Sequence, residues 1–91
     1  MIDSHQFSDN EILIPRKDAL EMLKIGYSTL SEFIYFLNIK KPKGWDYEKF
    51  DKAFSLSSIK VLTTFKRLIK RSRQYAINNI NQVMENLDNA S

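Results

Sequence analysis

Apolar residues recur at spacings of three and four along most of this chain, the pattern of helices that bury one face. From about Arg16 to Lys24 the inward positions are Ala19, Leu20 and Leu23, with Met22 at the margin. A second helix, capped by Ser28 or Thr29, places Leu30, Phe33, Ile34 and Leu37 on one face. Ser31, Glu32 and Tyr35 then lie on other faces, and Ile39 returns to the core. A third helix is predicted from about Ser57 to Arg73, with Ile59, Val61, Leu62, Phe65, Leu68 and Ile69 inward and Lys66, Lys70 and Arg73 opposite. From Gln74 to Leu87 the residues Ile77, Ile80, Met84 and Leu87 alternate at three and four, the spacing of a short a/d seam. So narrow a stripe points to dimerisation; packing back onto the chain's own core is the alternative.

The breaks between these segments carry their own chemistry. Ile12-Leu13-Ile14 is a short apolar run that pairs as a strand or covers the core, and Pro15 suits the start of a helix because its ring presets φ. Gly26 is the expected positive-φ residue ending the first helix. Thr29 with Glu32 three places on has the form of a capping box. The stretch from Ile14 to Ile39 therefore reads as helix, turn, helix, the second helix opening with a polar turn. Lys40-Lys41-Pro42-Lys43-Gly44-Trp45 reads as a basic hairpin or loop with an aromatic at its end. Residues 46–54 fit a helical turn with Tyr47, Phe50 and Phe54 on one side, or the return strand of a hairpin; the helical turn is preferred. The predicted organisation is a disordered tail at 1–11, a domain at 12–73 and a C-terminal helix at 74–91.

Charge changes this picture more than composition does. The net charge is only +3 over 91 residues. Yet residues 12–45 hold six bases against three acids, and residues 55–73 hold Lys60, Lys66, Arg67, Lys70, Arg71 and Arg73 with no acid. Cationic blocks of this kind suit a phosphate backbone, and they equally suit a solvated helix face. There is no cysteine, and His5 in the tail is the single histidine, so neither a disulfide framework nor a metal centre is expected. With Gly26 and Gly44 the only glycines, no glycine-rich phosphate loop is present. Asp18, Glu21 and Glu32 have no evident partner base, so an enzyme is not expected, nor a cofactor. No apolar run reaches the length of a membrane span and no signal peptide is evident, which makes the cytoplasm the expected compartment.

On Ala19, Gly26, Ser28-Thr29-Leu30, the Phe54-Ser55 pair and the Ile59, Leu62, Phe65, Leu68 register, residues 14–68 resemble the MerR-like winged-helix group, which includes phage excisionases. That resemblance implies a mainly α, winged helix-turn-helix fold with a C-terminal dimerisation helix. It implies phosphate contacts from Arg16 and Lys17 and from the wing lysines Lys40, Lys41 and Lys43. It would turn Ser28, Thr29, Ser31, Glu32 and Tyr35 toward the major groove. The chain departs from the family in carrying Ser31 and Glu32 where Arg and aromatic residues are common. A large effector domain after the seam is not expected. The expectation is a sequence-specific DNA-binding transcription regulator, acting as a homodimer on double-stranded DNA, with Ile77, Ile80, Met84 and Leu87 as its seam. A DNA-bending recombination factor and a helix-turn-helix module that binds a protein partner are the alternatives.

Overall fold

The computed structural model describes residues 12–47 and 52–90. The expected tail, with His5, and Phe50 of the 46–54 segment lie outside the described residues. The chain is mainly helical with a two-stranded sheet, in the order β1 (Leu13–Pro15), α1 (Arg16–Leu23), α2 (Tyr27–Lys40), β2 (Ala53–Ser55), α3 (Leu56–Ile69) and α4 (Arg73–Ala90).

Several boundaries differ from expectation for local reasons. Helix α1 ends on Lys24, not Gly26: Lys24 takes the left-handed conformation at φ 57°, and its N–H reaches the carbonyls of Glu21 and Leu20. Gly26 is extended at φ −91° and serves as N-cap of α2, which starts at Tyr27 with no side-chain cap. Ser28 and Thr29 are thus inside the first turn rather than capping it, and the capping box does not form. Lys41, at φ 47°, closes α2 in the left-handed region, its N–H 2.7 Å from the Leu37 carbonyl.

The 46–54 segment is corrected in part. Its end is the strand β2, antiparallel to β1 in the register Leu13–Ser55, Ile14–Phe54 and Pro15–Ala53. A β-branched or aromatic residue at each central position favours that pairing over a helical turn. The third helix is shorter than predicted, stopping at Ile69. Ser72 begins a new helix by accepting from Tyr75 N–H at Oγ (2.9 Å) and from Ala76 N–H at its carbonyl (3.1 Å). Arg73 therefore belongs to α4 and does not share a face of α3 with Lys66 and Lys70.

One core joins all of these elements. Ala19, Leu37, Phe54, Val61, Leu62, Phe65, Ala76 and Ile80 are fully buried, with Phe33 meeting Phe65 edge-on at 5.1 Å. The a/d stripe of α4 belongs to this core. Ile80 is 0% and Met84 5% exposed, and Ile77 and Leu87 pack half-buried against the same cluster. Ile80 and Met84 are thus taken up by the chain's own core, the alternative that their spacing left open, rather than standing clear as a free seam. The stripe is narrow because α4 lies on the edge of a small core that α3 dominates. Ile39, expected to return to the core, is 61% exposed, and Met22, placed at the margin, is 54% exposed.

Candidate nucleic-acid interface

Helix α2 buries Leu30, Phe33 and Leu37. At 3.6 residues per turn this leaves Ser28, Ser31, Tyr35 and Ile39 on the far side, with Tyr27 at its margin on the Asn38 flank, and all five are exposed. The flanks of the ridge are held by neighbours. On one side Glu32 accepts a 2.6 Å ion pair from Arg73 Nε, and the Lys40 carbonyl accepts from Asn81 Nδ2 at 2.9 Å. Eight residues separate the two contacts on both helices, so α4 runs beside α2 in the same direction. On the other side Asn38 Oδ1 accepts from Trp45 Nε1 at 2.8 Å. The outer face of α2 is therefore a ridge between α4 and the 41–47 loop.

That loop is bound down rather than projecting. Pro42 is buried, and its carbonyl accepts from Trp45 N–H at 3.0 Å. Gly44 sits at φ 95°, a conformation that L side chains rarely adopt, so the turn calls for glycine on backbone grounds; a Cβ there would only touch Val61 Cγ2 (3.4 Å) and the Ser57 carbonyl (3.6 Å) in ordinary contact. Asp46 supplies the main anchor. Its Oδ1 accepts from Ser55 Oγ (2.7 Å) and from Ser58 Oγ (2.6 Å), while its N–H donates to Ser58 Oγ (3.0 Å). Ser55 in turn caps α3 by accepting from Ser58 N–H. A carboxylate beside a helix N-terminus is also favoured by the partial positive charge there.

Aromatic packing completes the anchor. Tyr47 stacks on Phe54 at 4.7 Å and on Trp45 at 5.8 Å. Trp45 is half-buried, so it pins the loop while its indole N–H is satisfied by Asn38. Arg16 donates to the Tyr47 hydroxyl from Nε (3.1 Å) and from an Nη2 contact, and its guanidinium lies over the ring. The hydrogen bond to Tyr47 holds the Arg16 guanidinium above its ordinary pKa, burial opposes this, and Tyr27 adds a smaller rise. A raised pKa adds stability that is lost only as pH climbs past the ordinary arginine value. Arg16 is thus charged, and its contact unchanged, throughout the neutral range.

The expected site residues divide accordingly. Ser28, Ser31 and Tyr35 share the exposed ridge, and Thr29 is half-buried at its margin. Glu32 is turned to the α4 flank by Arg73. Arg16 and exposed Lys17 stand at the start of α1, Arg16 tied to the loop through Tyr47. Lys40 is half-buried at the end of α2, and Lys41 and Lys43 are exposed on the loop. Lys43 also borders a shallow cavity of about 110 Å³ with Gly44, Ser57, Lys60, Met84 and Leu87.

Several contributors were not anticipated. Tyr27 and Ile39 extend the ridge, and the i, i+4 series Tyr27, Ser31, Tyr35, Ile39 was the available signal. Asp46 with Ser55 and Ser58 was hidden because its members lie nine and twelve residues apart. Arg73 was assigned to the wrong helix. Among the described residues no group of His, Cys, Asp or Glu could hold a metal ion, and no helix is long and apolar enough to cross a membrane. No protein-family model, no curated protein and no solved structure matches this chain.

Proposed function

We propose that this chain is a DNA-binding protein of winged helix-turn-helix type, acting in transcription regulation by laying the outer face of α2 in the major groove. One observation carries the reading: a 14-residue helix keeps five outward residues clear of the core between flanks that bear cations. Arg16 meets Tyr27 at the start of α2, Arg73 pairs with Glu32 on its flank, and Lys40 and Lys41 stand at its C-terminal end. Cations placed around a ridge contact phosphates and fix register, while the ridge meets base edges. Binding would be an equilibrium process without covalent chemistry. A homodimer on a two-fold site remains part of the proposal, with its contact formed away from Ile80 and Met84.

A second reading has its own support. Tyr27, Tyr35 and Ile39 are 59%, 62% and 61% exposed, and a ridge with that much apolar surface also suits a protein partner. Gel shifts with mixed genomic duplexes over a salt series, with light scattering for mass, separate the two. The DNA reading expects a shift that weakens steeply with salt. It also expects Lys40→Ala/Lys41→Ala/Lys43→Ala to weaken binding to all sequences and to flatten the salt slope by up to about 2.7, at roughly 0.9 per phosphate contact. Retention of a protein partner regardless of salt, with no shift on any duplex, would favour the interaction module.

A further inference from the structure

Resting on that DNA reading, we infer that the α2 ridge recognises thymine methyl groups, and so A·T-rich major groove, rather than hydrogen-bonding guanine. Guanine is most often read by Arg or Lys paired to O6 and N7, adenine by Asn or Gln, and cytosine by a carboxylate accepting from N4. The outward face from Tyr27 to Ile39 offers none of these. Its residues are Tyr27, Ser28, Ser31, Tyr35 and Ile39. The candidate polar readers nearby are already engaged, Asn38 by Trp45 at 2.8 Å and Glu32 by Arg73 at 2.6 Å.

What the face does offer is apolar surface with short hydroxyls between. Tyr35 and Ile39 are one turn apart and 62% and 61% exposed, so their apolar surfaces are adjacent and open to water. The C5-methyl of thymine is the apolar feature of the major groove, and serine hydroxyls accept or donate to any base. From Tyr27 to Tyr35 the helix rises about 12 Å, roughly the length of three to four base pairs. The charge lies at the ends and flank of the ridge, on Arg16, Lys40, Lys41 and Arg73, where it would meet phosphates, and the ridge itself adds none. The occupant that fits both features is a methyl-bearing duplex.

The test uses the full chain and two alternating 20-base-pair duplexes, one of dA and dT, the other with dU replacing every dT. The second lacks only the methyl groups. At low salt both should shift, the dT duplex binding about four-fold tighter for each methyl contacted, the worth of burying one methyl-sized group. Tyr35→Ala/Ile39→Ala alters two exposed side chains and should retain the fold by circular dichroism. It should lose the preference for dT, binding the dT and dU duplexes equally, whatever loss of affinity is common to both. Equal wild-type affinity for the two duplexes overturns the inference and leaves DNA binding standing. A preference that survives in the double variant also overturns it, because the methyls would then be read elsewhere. No shift of either duplex at low salt overturns both this inference and the DNA reading.

Discussion

Helices α2 and α4 lie side by side, and each carries apolar residues at helical spacing, yet the structure uses the two sets in opposite ways. The stripe Ile77, Ile80, Met84, Leu87 faces inward and closes the core against α3. Tyr27, Tyr35 and Ile39 face water, although Ile39 is as apolar as anything on α4. The difference comes from competition. Helix α2 has a second, better stripe in Leu30, Phe33 and Leu37, and a helix can turn only one face to a core this small. Helix α4 has a single stripe and no alternative. An apolar stripe thus marks a surface to be covered, and the rest of the helix decides whether its own chain does the covering.

The strongest challenge to this contrast is truncation of Ile80. As a fully buried member of the α4 stripe, Ile80→Ala should cost about 2–5 kcal/mol of unfolding free energy, read from the denaturant midpoint. The same truncation at exposed Ile39 should stay within about 0.5 kcal/mol. Equal effects at the two positions would mean that α4 is not docked as described.

The next largest effect tests what holds the loop beside the ridge. Asp46→Ala removes the acceptor of two serine hydroxyls, and Ser58 is completely buried. Leaving that hydroxyl without its acceptor should cost about 1–3 kcal/mol. Ser55→Ala, which removes both the cap of α3 and a bond to Asp46, should cost about 1–2 kcal/mol. Thermal melts in which neither variant is destabilised would show that the loop is held by its aromatic residues alone.

How much of this was legible in the sequence follows from how local each cause is. The inward faces of α2 and α3 were readable because Leu30, Phe33 and Leu37, and Ile59, Leu62 and Phe65, declare themselves within a few turns. The strand β2 was not, because Ala53-Phe54-Ser55 acquires its conformation from pairing with Leu13-Ile14-Pro15, forty residues earlier in the chain. Glycine misled at the end of α1, where Lys24 accepts the left-handed conformation instead, leaving Gly26 to start α2. The break between α3 and α4 is expected after Arg73 but falls between Ile69 and Arg73, since Ser72 lies within a run of bases that continues the helical pattern. Within the candidate site the ridge residues Ser31 and Tyr35 were readable from periodicity, whereas Ser28 reads as a cap. The engagement of Glu32, Asn38 and Arg16 was not, because each has its partner on another element.

A smaller effect is expected where the two helices touch at the surface. The Glu32–Arg73 pair is partly solvated, with side chains 35% and 61% exposed, so Glu32→Ala should change stability by no more than about 1 kcal/mol. Its more informative readout is binding. Removing a negative charge from the flank of the ridge should strengthen attachment to duplex DNA, most clearly at low salt. Weaker binding of this variant would assign Glu32 a contact of its own with the bases.

The central claim, that the outer face of α2 is a binding surface, is tested most directly by titrating a labelled genomic-DNA pool at low salt with the native chain and with Ser31→Ala/Tyr35→Ala. Both residues are exposed, so the melting temperature should be nearly unchanged while affinity falls by roughly five-fold to a hundred-fold, on the order of 1–3 kcal/mol. Native-like affinity in that variant, with the fold intact, would contradict the account.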